Sequence, residues 1–177
     1  MASKWFIFKD QNMVEQIEFP SNTRINGKEV GSFYRDSFSC KATKKDLNAA
    51  YVYHAIFAYL PKPVQIALKI RNTIVKWFGF SVADVKMALP LENIEVGKQA
   101  GFLTFETVSD SEVITVASEK NMDIWLSVMK LSEHEYAVST LVNLKTGSGR
   151  FYMALIKPFH KLIAKYCITQ AINEKRI

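Results

Sequence analysis

Cysteine is scarce in this chain: Cys40 and Cys167 are the only two among 177 residues. They form no Cys-x-x-Cys pair and join no Cys/His cluster, which argues against a structural zinc site. Two scattered thiols fit a reducing cytoplasm, with a single disulfide as the alternative. The seven glycines compose no phosphate-binding loop, no dinucleotide fingerprint and no Gly-x-Ser-x-Gly nucleophile turn, and His-Glu-x-x-His is absent. Long apolar runs are missing too. The longest, 49–60, contains His54 and ends at Pro61-Lys62-Pro63, short of the about 20 residues that a membrane-spanning helix needs. Trp5-Phe6-Ile7-Phe8 is too short for the apolar region of a signal peptide. The expectation is a cytoplasmic protein with no stable membrane insertion, no metal and no cofactor. No repeat, low-complexity tract or Gly/Ser/Pro-rich linker divides the chain, so one domain over 1–177 is expected.

Acidic residues are nearly absent from the C-terminal end. From Arg150 onward six Lys or Arg face one acid, Glu174, a balance of +5, so the rest of the chain holds only +1 of the net +6. A basic helix face could attract nucleic acid or anionic lipid, or simply be solvated. The strands described next lack the basic-aromatic pattern of an RNA-binding sheet, so no nucleic-acid partner is expected.

What is present is an ordinary globular composition, 49% hydrophobic and 23% charged. Segments 13–19 and 32–42 read as strands. Thr43 and Asp46 read as the capping box of a helix over 43–59. Pro63 suits the first turn of a second helix that runs to Phe78, with Gly79 just past its end. On it Val64, Leu68, Ile74, Val75 and Phe78 face the core. Segment 81–98 mixes a short helix or loop with a turn at Gly97. Four strands follow at 102–108, 112–118, 122–131 and 135–144. Their short polar separators predict an antiparallel meander. Met122, Ile124, Leu126 and Val128 share one face of the third.

The chain then turns across Lys145-Thr-Gly-Ser-Gly149 into a helical pattern running to about Asn173. Phe151, Leu155, Phe159, Leu162 and Tyr166 recur at spacings of three and four and share a face, expected to cover the sheet. Lys157, Lys161 and Lys165 mark the opposite face, and Pro158 should kink or break the helix. A sheet closed by a long terminal helix defines an α+β fold, with two shorter helices between the early strands. A pocket between sheet and helix is expected, lined by Met122, Ile124, Leu126 and Val128 opposite Phe151, Leu155 and Phe159.

Arg71 lies near the centre of the second helix's apolar stripe. A guanidinium there needs partners. It either pairs with an acid such as Asp36, Glu106 or Asp123, or snorkels to the edge, or anchors a ligand carboxylate or phosphate. His54, among Tyr51, Tyr53, Ile56 and Phe57, is either a hydrogen-bonded core imidazole or an acid–base group. His160 lies at the margin between the apolar and lysine faces and suits packing or capping.

Three segments together resemble the bacterial family of unknown function DUF2867. They are Asp36-Ser-Phe-Ser-Cys40, the stretch 55–80 with its helix–Pro–helix and central Arg71-Asn72, and Gly149-Arg-Phe-Tyr-Met-Ala-Leu-Ile-Lys-Pro-Phe-His160. Asp36, Arg71, Tyr152 and His160 match that family's pattern. Asn121-Met-Asp-Ile-Trp125 departs from its His-Leu-Asp-Phe-Arg, keeping only the aspartate. The family is similar to the START/Bet v 1-like helix-grip superfamily, which implies a curved antiparallel sheet wrapped around a long C-terminal helix. The resemblance also implies an apolar ligand between them. Relatives fused to NAD-binding epimerase-like domains make a separate NAD-binding oxidoreductase partner conceivable. The leading expectation is a binding protein for a small apolar or amphipathic molecule. The rivals are a cyclase- or dehydratase-type enzyme using His54, Arg71 and an acid, and a lipid-surface protein using the lysine face.

Overall fold

A computed structural model describes residues 13–77 and 89–177 of the chain. Among these residues seven antiparallel strands form one curved sheet: β1 (Val14–Gln16), β2 (Phe33–Lys41), β3 (Gln99–Ala100), β4 (Leu103–Val108), β5 (Glu112–Ser118), β6 (Met122–Lys130) and β7 (Glu135–Leu144), in the order β1-β2-β7-β6-β5-β4-β3. Among the described residues three helices accompany it: α1 (Ala49–Phe57), α2 (Lys62–Trp77) and α3 (Gly147–Asn173), with a 3-10 turn at Leu91–Asn93. The expected meander forms from β4 to β7, with β5 and β7 at their expected bounds. Hairpin-length separators leave adjacent antiparallel pairing as the simplest way to satisfy the backbone. β2 joins its far side through nine consecutive pairs, from Phe33↔Asn143 to Lys41↔Glu135.

Alternation gives the sheet two different faces. On one, α3 packs against β1, β2 and β7, and α1 packs against β5, β6 and α3. The core lies here, around Phe38, Val52, Ile56, Phe105, Val128, Tyr136 and Ile168. The other face is covered by the segment between β1 and β2. Its Ile25 is fully buried with Ile114 and Leu141, beside Phe19 and Trp125. Glu112, buried on that side, accepts hydrogen bonds from Thr23 Oγ1, from the Arg24 amide at 3.2 Å and from Ser127 Oγ at 2.7 Å.

Two expectations about the helices need correction. The first helix starts at Ala49 rather than at Thr43. Asn48 caps it, its Oδ1 accepting from the Tyr51 amide at 2.8 Å. Asp46 is instead in the left-handed region, at φ 53°, and Thr43 Oγ1 donates to the Ile177 carbonyl. Asn48, immediately before the helix, captures an amide of its first turn that Thr43 is too far away to reach. α3 is rotated from its expected phase. Its buried residues are Gly149, Tyr152, Met153, Cys167, Ile168, Ala171 and Ile172, while Phe151, Leu155, Phe159 and Leu162 are exposed. Apolar residues occupy most of the circumference outside the lysine stripe, so the spacing fits two faces. The small residues Gly149, Ala164, Cys167 and Ala171 permit the closer approach. Gly149 shows this directly: a Cβ there would sit 2.5 Å from the Asn121 carbonyl oxygen. The helix runs through Pro158 without interruption. The side chains of Ile74, Val75 and Phe78, and the helix end at Gly79, lie outside the described residues.

Candidate functional site

Between the sheet, α3 and α2 lies a cavity of about 640 Å³. Its floor is the inner face of β6, β7 and β2: Met122, Ile124 and Leu126, then Val138, Thr140 and Val142, then Phe38. Register places these side by side, with Ile124 opposite Val142 and Leu126 opposite Thr140. α3 supplies Tyr152, Met153, Ile156, His160, Ile163 and Cys167, and α2 supplies Val64, Ala67, Leu68 and Arg71. Phe57, Leu60, Phe102 and Leu103 complete the wall. Nearly every lining group is aliphatic or aromatic. The polar groups are few: Arg71, Tyr152, His160 and Thr140.

Arg71 is half-buried on this wall. Its Nε donates to the Tyr152 hydroxyl at 3.0 Å and its Nη1 to Asn72 Oδ1 at 3.1 Å. Its guanidinium lies over the rings of Phe102, at 5.7 Å, and Tyr152, at 5.9 Å. The three acids considered as its partners are engaged elsewhere. Glu106 pairs with Lys28 and Asp123 with Lys145, each at 2.6 Å. Asp36 lies against His160. Among the described residues, no carboxylate pairs with Arg71.

The second polar group of the wall is His160, with Asp36, which does not itself line the cavity, against it. The Asp36 side chain is 1% exposed, and its Oδ2 lies 3.4 Å from His160 Nε2. The same oxygen accepts from the Tyr34 hydroxyl at 2.5 Å. Burial, and then the bond to Asp36 and its charge, push the Tyr34 phenol well above its usual range, so it stays a donor. Asp36 Oδ1 and His160 Nε2 have no hydrogen-bond partner among the described residues. Buried polar groups are otherwise almost always satisfied. Lys157 lies over the Tyr34 ring at 5.5 Å.

The remaining expected site residues separate. Met122, Ile124, Leu126, Leu155 and Phe159 line the cavity, while Val128, Phe151 and His54 do not. Val128 is fully buried one inner-face position beyond Leu126, in the core beneath α1. Phe151 points outward because of the rotation of α3. His54 turns its ring edge-on to Tyr59, at 5.5 Å. Tyr152, Asp36 and His160 were noted in the sequence, as matches to the family pattern, but were not expected as site residues. Asp36 carried a signal: it is the one acid on a strand face whose other members are Tyr34, Phe38 and Cys40.

These features define an α+β chain with an apolar cavity and two small polar stations on its wall. Residues 30–167 match the family described as "Protein of unknown function (DUF2867)", and the chain belongs to that family. No curated protein and no solved structure matches it.

Proposed function

We propose that this chain binds one small amphipathic molecule, an apolar body carrying a carboxylate or a similarly acidic group, in the space between the sheet and α3. The helix-grip arrangement is the fold reading that accompanies it, with the curved sheet holding α3 and the ligand filling the gap. One observation carries the proposal. An apolar cavity, within the ~300–1,000 Å³ usual for small-molecule sites, has a guanidinium on its wall and no protein carboxylate paired to it among the described residues. Arg offers a planar, permanently charged fork for such a group. Tyr152 holds that fork by Nε, which fixes its direction.

The test is saturable binding of a fluorescent fatty acid, with decanoate and methyl decanoate as competitors. Decanoate should displace the probe far better than the ester. Leu126→Trp should abolish binding while leaving the melting temperature unchanged or raised, since filling a void commonly contributes about 0.5–2 kcal/mol. Absence of saturable binding, or a Leu126→Trp variant that binds as before, contradicts the proposal. The Asp36–His160 pair favours a second reading, acid–base chemistry on the bound molecule. It would use His160 where His54 was expected. Loss of one water from a bound hydroxy acid, followed by mass spectrometry and stopped by His160→Phe, would establish it.

A further inference from the structure

Folding leaves large apolar side chains in water along both helices that border the cavity. On α3, Phe151 is 61% exposed, Leu155 47%, Phe159 61% and Leu162 68%, and on α2 Ile66 and Ile70 are each 58% exposed. Spacings of three and four place each set on one face of its helix. Ile70, Leu155, Phe159 and Leu162 also line the cavity. These residues therefore form its rim, where it meets solvent. Contiguous exposed apolar surface of this kind marks a contact site.

Charge indicates what the rim meets. Neither helix contains an Asp or Glu, while Lys62 and Lys69, four and three residues from Ile66 on α2, are exposed beside the rim. Two copies joined through this face would set like charges against each other. An anionic surface complements them. We infer that the rim docks on an anionic lipid bilayer, its apolar side chains at the boundary between headgroups and acyl chains and its cations among the headgroups. The lysine stripe alone does not make this surface. Lys161 is bound to Gln16, and Lys165 lies over the Phe38 ring. No helix among the described residues is long and apolar enough to cross a membrane, so the contact is a surface one. Seated this way, the cavity opens toward the acyl region, and an apolar ligand passes between bilayer and cavity without crossing water. That last step rests on the proposed ligand site; the docking does not.

Co-flotation of the full chain tests this, with vesicles of phosphatidylglycerol mixed into phosphatidylcholine and with pure phosphatidylcholine. The chain should float with the anionic vesicles and much less with the neutral ones, and added salt should release it. Ile66→Ser/Phe151→Ser should lower partitioning about tenfold or more, because two apolar anchors are lost. Neither residue lines the cavity, so this variant should still bind the soluble fatty-acid probe. Lys62→Gln/Lys69→Gln should flatten the salt dependence. No flotation with anionic vesicles, or a serine variant that partitions like the original, overturns the inference. A dimer in light scattering that the serine variant dissociates overturns it too, since the rim would then be a self-contact. A chain that binds the probe but never floats refutes docking alone. One that floats without binding the probe refutes the ligand site alone.

Discussion

Arg71→Met distinguishes a ligand anchor from a structural ion pair. Had Arg71 been paired to a buried acid, its removal would strand that charge and cost about 3–5 kcal/mol. For a chain of this length that is a fall in melting temperature of about 6 °C or more. The structure gives a different magnitude. Among the described residues Arg71 is bonded to a phenol and an amide, both uncharged, and to no carboxylate. Asn72 can turn to water, the buried Tyr152 hydroxyl, being neutral, loses one contact and strands no charge, and partial exposure screens the Arg71 charge. Met also replaces the packing of the Arg stem. The expected loss is about 1 kcal/mol, or about 2–4 °C. Binding should respond much more. A hydrogen bond to a charged group contributes about 1.5–3 kcal/mol, so a carboxylate ligand should bind about 10- to 100-fold more weakly. Its methyl ester should bind with unchanged affinity. Calorimetric melting and probe displacement on the same variant supply both numbers. A fall of 6 °C or more with carboxylate affinity intact would refute the anchor argument.

Other consequences are as direct. Gly149→Ala should destabilise by about 1–3 kcal/mol in urea denaturation, because its Cβ meets the Asn121 backbone. Helix propensity alone predicts the opposite sign, a gain of about 1 kcal/mol, so a stabilised variant would refute the close approach. Burial pushes the Cys40 thiol up to about 12, with nearby Glu135 adding to it, and the Cys167 thiol up to about 11, from an ordinary 9.0. Above pH 9 the unfolded chain loses these protons first, so the stability from protonated thiols, full below that pH, is lost as pH rises toward 11–12. Raised tyrosines act in the same direction, and a Cys40→Ala/Cys167→Ala variant should therefore show a shallower, not absent, decline of the denaturation midpoint. An identical decline would refute the assignment to the thiols.

The strands were legible because each carries a period-2 pattern bounded by short polar turns; the seven-stranded order adds β3, shortens the first strand to Val14–Gln16, and adds the pairings of β1 with β2 and of β2 with β7. Sequence spacing cannot reveal the last of these, since it joins segments a hundred residues apart. The phase of α3 was less legible. Phe151, Leu155 and Phe159 are large apolar groups at regular spacings of four, and they set an apparent face that folding leaves in water. The face that packs mixes large groups, Tyr152, Met153 and Ile168, with small ones, Gly149, Cys167 and Ala171, whose closeness to the sheet hydrophobic periodicity ignores. The cavity floor at Met122, Ile124 and Leu126 followed from alternation along β6, but its end did not: Val128 lies where α1 closes the core. Arg71 stood out as a cation on an apolar stripe. The Asp36–His160 contact joins β2 to α3 across the fold, so only tertiary structure brings it together.

Native mass spectrometry of the freshly purified chain tests the central claim most directly. The account predicts a one-to-one adduct of small-molecule mass, removed by organic extraction and replaced one-to-one by added decanoate, with Arg71→Met holding that replacement poorly. The bare chain mass, both before and after excess decanoate, would contradict it.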